Sequence, residues 1–477
     1  MSKFNQLISS FTIVLFLICS SIKETKADNS SHQSVVDSTM IRTIYDQALV
    51  NGEAYDNLRV LCKSVGHRLS GSPAADKAVV WGEQVLKKMG LDTVYLQEIK
   101  VPHWDRGNLE QAWINSGKPR ELRIATLGGS VASKGKITAG VIEVQSLEEV
   151  KNLDPQKVKG KFVFYNRPMD ARKISTFDAY GGCVDQRYWG AVEAAAAGAI
   201  GVFVRSMTTL ESDHFPHTGS MGYSDTVTKI PAVALATEDA NYIHDQLLKN
   251  PSITLSMNIN PTWNPDKKSY NVIGELRGSE FPDKIMVVGG HLDSWDLGEG
   301  AHDDGAGIVH SMEALRLLKA AGYRPRHTIR VVLFMNEENG NMGGKSYASI
   351  AHDLREDHVV AIESDRGGFT PRGFSLVGNE TQLKMIQSFR ELLEPYGLHF
   401  FEFGYGGVDI GPLAQPLNKI DADLMLLGLV PDSQRYFDFH HTADDVFENV
   451  NKRELELGCA SMASMLYLLD KTLHPIK

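Results

Sequence analysis

The stretch IMVVGGHLDSWDLGEGAHDDGAG, from Ile285 to Gly307, joins an apolar run to a polar loop and the start of a periodic segment. The run Ile285 to Val288 predicts a buried strand. His291 follows it closely, Asp303 comes twelve residues later, and beyond Gly307 apolar residues recur at helical spacing. A buried strand, a polar loop and a helix in this order are typical of an α/β sheet, whose ligand sites lie at the carboxyl ends of the strands.

The polar loop of this stretch carries side chains that suit a metal ion. His291 is a borderline ligand and Asp303 is a hard one. Asp293, two residues beyond His291, would orient the imidazole by accepting its second ring N–H. Because loop residues of these types are usually only solvated, the prediction depends on further segments that end in the same way.

A second apolar run, Thr328 to Met335 (TIRVVLFM), delivers two adjacent acids, Glu337 and Glu338, to the end of another predicted strand. Neighbouring side chains at a strand end point to different sides. One carboxylate can therefore bind a metal ion while the other faces a substrate. Taken by itself, such a pair is more often two solvated acids on a loop.

Two later segments complete the pattern. The run VVAIESD ends at Asp365, and the segment QRYFDFHHTADDVFENV brings His440 and His441 after a further apolar run, Leu424 to Pro431. Each signal is weak alone, since an acid after a strand is common and a histidine pair has no unique meaning.

Together these segments supply two imidazoles and three carboxylates, which suit a pair of divalent metal ions sharing one bridging aspartate. The predicted ligands are His291, Asp303, Glu338, Asp365 and His441. With two Zn²⁺ ions, each would take one histidine, one terminal carboxylate and a share of Asp303, with a water or hydroxide filling the open position. Glu337 remains as the general base.

The composition between residues 120 and 260 differs from that of the flanking chain, with short β runs and one alanine-rich helix. We predict an inserted β-rich domain there. The catalytic domain would then be built from residues 44–119 and 261–477, as an α/β fold with a mixed central sheet flanked by helices.

Four motifs, HLDSWDLGEGAHDDGAG, NEENGNMGGKSYA, ESDRGG and FHHTADD, resemble in order and spacing those of the co-catalytic zinc exopeptidase family. The similarity covers nearly the whole chain after its N-terminal segment and is greatest to the plasma glutamate carboxypeptidase branch. It implies the same ligands and base, a cis bond between Asp303 and Asp304, Asp293 as the acid that orients His291, and a protease-associated domain as the insert. Several relatives hold the reacting oxyanion with a tyrosine near the late ligand. Here His440 stands before His441, and it is our candidate for that contact.

The resemblance implies hydrolysis of small peptides, foremost dipeptides with both termini free, by a hydroxide that bridges two zinc ions while Glu337 moves the proton. An aminopeptidase with the same metal chemistry remains an alternative, and so does a binding or receptor protein that has lost catalysis. The branch also implies a homodimer made with a prosegment, which residues 28–43 would form.

The N-terminus places Lys3 before a short apolar run, Phe11 to Cys19, and small residues. This predicts a cleaved secretory signal peptide over residues 1–27 and a secreted or lumenal protein, because the run is shorter than the ~20 residues of a membrane anchor. Two glycosylation sequons, at Asn29 and Asn379, fit that destination. A net charge of −10 and a pI near 5.9 argue against nucleic acid and membrane surfaces as partners.

Overall fold

The computed structural model describes residues 35–414 and 424–473. The predicted signal peptide and the sequon at Asn29 lie outside the described residues, as do residues 28–34 of the predicted prosegment. Residues 35–43 belong to a helix, α1, which runs to residue 51. Within the described residues, none of the helices has both the length and the hydropathy to cross a bilayer.

Sixteen strands are present in the described chain: β1 (Thr93–Asp105), β2 (Glu110–Asn115), β3 (Arg120–Leu122), β4 (Ile124–Thr126), β5 (Ile137–Val144), β6 (Phe162–Tyr165), β7 (Gly201–Arg205), β8 (Ala232–Leu235), β9 (Thr254–Ile259), β10 (Thr262–Leu276), β11 (Phe281–His291), β12 (His327–Phe334), β13 (Asp357–Glu363), β14 (Pro371–Val377), β15 (Phe400–Phe403) and β16 (Met425–Pro431).

After α1 the described α-helices are α2 (Ala54–Val60), α3 (Pro73–Lys88), α4 (Leu147–Asn152), α5 (Pro155–Val158), α6 (Thr176–Gly181), α7 (Asp185–Tyr188), α8 (Gly190–Ala196), α9 (Thr237–Lys249), α10 (Ala306–Ala320), α11 (Met342–Leu354), α12 (Glu380–Ser388), α13 (Arg390–Leu393), α14 (Tyr436–Phe439) and α15 (Lys452–Thr472).

The first sheet has eight strands in the order β1-β10-β12-β11-β13-β16-β14-β15. Its central strands β12, β11, β13 and β16 are parallel, and antiparallel neighbours flank them. The predicted mixed sheet is thus confirmed. The run Ile285 to Val288 in the middle of β11 is apolar at every position because both faces of the sheet are covered there. Met286 and Val288 join the core beneath α10 and α15, while Ile285 and Val287 join a core beneath α11.

The second sheet, in the order β3-β2-β9-β5-β6-β7-β8-β4, is built between Glu110 and Ile259. It has its own apolar cores on its two faces, and six helices, α4 to α9, lie within the same stretch of chain. Its strand β2 comes before residue 120, where we divided the sequence, and the domain limits stay a prediction. We keep the name "insert" for residues 120–260.

Candidate metal centre

The parallel strands β12, β11 and β13 end at one edge of the first sheet. His291 is the last residue of β11, Glu337 and Glu338 follow β12, and Asp365 follows β13. His441 comes from the loop after α14, and Asp303 from the loop before α10. The structure therefore brings the five predicted ligands, which are distant in sequence, to a single edge.

One group of donors, which we call position one, consists of His291, Asp303 and Asp365. His291 Nε2 lies 3.1 Å from Asp303 Oδ1 and 3.4 Å from Asp365 Oδ1. The ring is 1% exposed. A nitrogen and two oxygens from different elements thus converge on one point.

A second group, position two, consists of Asp303, Glu338 and His441. His441 Nε2 lies 3.2 Å from Asp303 Oδ2 and 3.3 Å from Glu338 Oε2. The two carboxylate oxygens of Asp303 therefore face different groups, which is the arrangement that a bridging ligand requires.

The donor set fits zinc. Ligands at 2.0–2.2 Å around a tetrahedral ion are separated by roughly 3.3–3.5 Å, close to the donor spacings of both positions. Within the described residues, none of the three carboxylates forms an ion pair with lysine or arginine. Buried carboxylates without a protein cation are characteristic of a site that holds a metal ion.

The protonation pattern shows an excess of buried negative charge at the two positions. Burial and the nearby Asp303 carboxylate raise the pKa of Glu338 to about 7. Burial lowers the pKa of His441, but the charge of Glu338 and the hydrogen bond with Asp303 outweigh it and bring the pKa to about 9. For Asp303, burial is outweighed by hydrogen bonds from His291 and His441, which hold its pKa well below the ordinary range. Divalent cations would displace the protons that balance this charge.

The loops that carry the donors are held by two further carboxylates, Asp304 and Asp445. Asp304 accepts hydrogen bonds from the main-chain N–H groups of His291, at 3.0 Å, and Gly307, at 2.9 Å. Asp445 accepts from the N–H groups of His302 and Asp303, at 2.7 and 3.1 Å. Both acids lie in motifs quoted above, HLDSWDLGEGAHDDGAG and FHHTADD, but the sequence predicted no such role for them. The bond between Asp303 and Asp304 is cis, as the resemblance implied.

The second ring N–H of His291 does not bind the carboxylate of Asp293, although the sequence predicted that it would. The Nδ1–H of His291 is bound by the main-chain carbonyl of Asp293, at 3.1 Å, while the nearest carboxylate oxygen of Asp293 is 3.8 Å away. That carboxylate instead accepts the main-chain N–H groups of Asn336, at 2.7 Å, and Glu337, at 3.0 Å. Asp293 thus orients the ring through its backbone, and its side chain fixes the turn that presents the two glutamates.

Glu337 faces a cavity of about 1320 Å³ that opens beside the donors. Burial, together with the charges of Asp365 and Glu338, raises the pKa of its carboxyl well above the usual value. Its neighbour Glu338 lines the same cavity and places its Oε2 3.3 Å from His441 Nε2, in position two. The division of the pair into a ligand and a general base stays a prediction.

His440 lies at the centre as well. Its ring stacks on that of His441, with the centroids 3.5 Å apart, and its Nε2 is 3.8 Å from Asp303 Oδ2. Its Nδ1 is buried without a hydrogen-bond partner among the described residues. A proton on Nε2 would therefore be available at the cavity, which keeps His440 as a candidate contact for the substrate.

The insert contributes groups that sequence reasoning missed. Arg187, Tyr180 and Ser220 line the same cavity. The carbonyl of Thr218 accepts the Nδ1–H of His441 at 3.2 Å. Their sequence context has no ligand spacing, so only the folded chain reveals them. Tyr436, on α14, is a further lining residue that is buried close to the carboxylates of both positions.

The mixed sheet and the paired histidine and carboxylate donors at its carboxyl edge define a class, the α/β metallohydrolases. Residues 271–465 match the model of peptidase family M28. The chain is 35% identical to carboxypeptidase Q of Xenopus laevis over 88% of this chain and 86% of that protein.

Two solved structures give the same answer for the fold. A peptidase M28 precursor from Shewanella amazonensis is 32% identical, with a TM-score of 0.86 over 92% of this chain and 97% of that one. A zinc aminopeptidase from Bacillus subtilis is 20% identical, with a TM-score of 0.60 over 87% of this chain and 94% of that one. The chain belongs to peptidase family M28, and it is a zinc-dependent exopeptidase.

Proposed function

We propose that this exopeptidase is a dipeptidase with a two-zinc centre, acting on small peptides whose two termini are free. The two groups of donors that share Asp303 support two ions. When bound, the ions would polarise the scissile carbonyl and increase the acidity of an attacking water. The retained donor set and Glu337 argue against the alternative of an inactive receptor.

Glu337 is the group of this chain that moves the proton. Its main-chain N–H is fixed by Asp293, and its side chain faces the cavity beside both positions. A carboxylate oxygen of Glu337 takes a proton from the attacking water and returns it to the nitrogen of the leaving amine.

The observation that carries the dipeptidase proposal is a buried arginine without an ion pair. Arg187 is 7% exposed, lines the cavity and forms no salt bridge within the described residues. Its hydrogen bonds go to neutral oxygens, namely the hydroxyl of Tyr180 at 2.7 Å and the carbonyls of Ser220 and Thr218 at 3.3 and 3.4 Å. A buried guanidinium is stable when it meets an anion, and the free α-carboxylate of a peptide is such an anion.

An aminopeptidase must instead hold a free α-amine with an unoccupied acid. Glu363, next to the centre, is not available, because its carboxylate accepts the main-chain N–H groups of Val408, Asp409 and Ile410. The aminopeptidase alternative is separated from the proposal by the substrate that the enzyme prefers.

The test compares a free dipeptide with the same dipeptide amidated at its C-terminus. We expect Arg187→Gln to raise KM for the free dipeptide by about 10- to 100-fold, the loss of a charged hydrogen bond, and to leave the amide nearly unchanged. Arg172→Gln, at an arginine of the insert that is exposed and pairs with Asp170, is the matched control. If the wild type cleaves the amide, or an amino-acid anilide, as well as the free dipeptide, the carboxylate is not recognised and the aminopeptidase alternative stands.

We also infer from the N-terminal pattern that the enzyme is secreted or lumenal, with residues 1–27 as signal peptide and 28–43 as prosegment. A homodimer remains a prediction. Asn379 is exposed and its side chain caps α12, so a glycan there would compete with that cap. Intact-mass measurement of the mature secreted protein would locate the cleavage sites and the glycans.

A further inference from the structure

The two metal positions differ in which part of the chain supports them. At position one, the Nδ1–H of His291 is bound by the carbonyl of Asp293, from the same loop of the first sheet. At position two, the Nδ1–H of His441 is bound by the carbonyl of Thr218, which belongs to the insert. The ring hydrogen bond that fixes the tautomer of a metal-binding histidine is therefore supplied from outside the catalytic sheet at position two only.

The segment Thr218–Ser220 holds both outer ligands of position two. The main-chain N–H of Thr218 donates to the carbonyl of His441 at 3.0 Å, so the two residues are joined by two hydrogen bonds. The hydroxyl of Ser220 donates to the carbonyl of Glu338 at 2.5 Å. No comparable contact from the insert to His291 or Asp365 is found among the described residues.

The fit between the segment and His441 is close. His441 has a positive φ of 62°, a conformation that a residue with a side chain keeps only where its surroundings hold it. Gly219 lies against it with a φ of 139°. A β-carbon on Gly219 would be 2.7 Å from His441 Nδ1 and 2.5 Å from Arg187 Cζ. The absence of a side chain at residue 219 therefore lets the segment reach the imidazole.

We propose that the segment Thr218–Ser220 sets the zinc affinity of position two, so that the insert controls whether the enzyme carries one ion or two. When the segment is displaced, the imidazole of His441 loses its preferred tautomer and orientation, and Glu338 loses the anchor of its main chain. Position one keeps all its supports. This inference rests on the proposed two-zinc centre.

The test titrates the metal-free full-length protein with zinc against a chromogenic chelator and counts the bound ions by elemental analysis. We expect two ions in the wild type. In Gly219→Ala and Ser220→Ala, one ion binds as in the wild type and the other about 10- to 100-fold more weakly, the usual effect of losing a hydrogen bond that orients a ligand. Gly140→Ala is the matched control, because a β-carbon there meets only the Lys161 side chain at an ordinary 3.7 Å.

Combining variants identifies the weakened position. Ser220→Ala added to Glu338→Gln should change zinc binding little, because position two is already damaged. Added to Asp365→Asn, Ser220→Ala should weaken the binding of the one remaining ion. Circular dichroism of the metal-free variants checks that the fold is kept, and Ser220→Ala provides the test if Gly219→Ala fails to fold.

The outcomes separate the inference from the proposed centre. A wild type that binds fewer than two ions contradicts the two-zinc centre itself. If the wild type binds two ions and the segment variants weaken both equally, or neither, the centre stands and the role of the segment is rejected.

Discussion

At the level of single residues, the centre is a set of buried acids with distinct duties. Asp303 and Glu338 point at the metal positions, whereas the carboxylates of Asp293 and Asp304 bind main-chain N–H groups. In this centre, the carboxylates that accept several main-chain N–H bonds act as anchors, and those whose oxygens lie close to a histidine Nε2 are the candidate ligands. Residue type alone does not separate these duties, since neighbouring aspartates in one motif take different ones.

The role of Glu337 leads to the first prediction. Glu337→Gln keeps the size of the side chain but cannot accept a proton, so turnover should fall by at least ~10²-fold, the lower end for a general base. Zinc content should stay at the wild-type value because Glu337 is not among the donors. Elemental analysis and kcat on a free dipeptide measure both. Glu394→Gln, at an exposed residue, is the control. Near-normal turnover in Glu337→Gln would show that Glu337 is not the general base.

A second prediction concerns Glu456, whose side chain is 1% exposed. None of the described residues that interact with it belongs to the metal positions. Burial and the charge of Glu313 raise its pKa to about 7, from an ordinary value of 4.5. Its Oε2 lacks a hydrogen-bond partner within the described residues. The folded protein therefore takes up a proton between these two pKa values, and stability falls as the pH rises through that window.

Glu456→Gln removes this cost. We expect the variant to be more stable than the wild type at pH 8 by roughly 3 kcal/mol, since one pKa unit corresponds to about 1.4 kcal/mol. The difference should shrink toward zero as the pH approaches 4.5. Urea denaturation at a series of pH values measures it. A difference that does not change with pH would show that the ionisation of Glu456 is not responsible.

At the level of secondary structure elements, the site depends on where three parallel strands end. Each strand is unremarkable, but β11, β12 and β13 are neighbours, so their following residues meet. Helices α10 and α15 cover one face of the sheet, and the absence of a side chain at Gly458 of α15 lets the two helices pack closely.

The contact between α10 and α15 can be tested at Gly458. A β-carbon there would lie 2.4 Å from Nε2 of His310, a buried residue of α10. Although alanine favours helices more than glycine, we expect Gly458→Ala to lower the free energy of unfolding by about 1–3 kcal/mol through overpacking. Chemical denaturation gives the value. Gly181→Ala, at the end of α6 where a β-carbon meets nothing within 4 Å, should be neutral or slightly stabilising.

At the level of the whole molecule, the metal positions join the two sheets. Position two takes support from the insert and its ligands from the first sheet, and the cavity is lined from both sides. Bound zinc should therefore stabilise the complete fold and not only a loop.

This leads to a prediction for metal removal. Zinc at 100 times its Kd stabilises a protein by about 2.7 kcal/mol for each site, so Tm should rise with zinc concentration and fall when a chelator is added. Asp303→Asn should lose nearly all of this response because both positions share Asp303. Asp365→Asn should keep part of it. Differential scanning calorimetry measures the shifts, and an unchanged zinc response in Asp303→Asn would contradict the bridging role.

Sequence alone determined the class of the protein and predicted a set of donors that the structure brings together. The strands that lead to His291, Glu338 and Asp365 could be recognised because buried parallel strands are apolar throughout. Each of these apolar runs is followed directly by polar residues. The family followed from four motifs in order. The division of roles between Glu337 and Glu338 stays a prediction, which rests on the divergence of adjacent side chains at a strand end.

Only the tertiary structure decided which groups support those donors. Asp293 orients His291 through its carbonyl rather than its carboxylate, and Thr218, Ser220 and Arg187 reach the centre from the insert. Main-chain hydrogen bonds depend on the path of the backbone and not on residue type, so they leave no pattern in the sequence. Contacts between residues more than two hundred positions apart, such as Thr218 and His441, arise only when two separately built sheets are packed together.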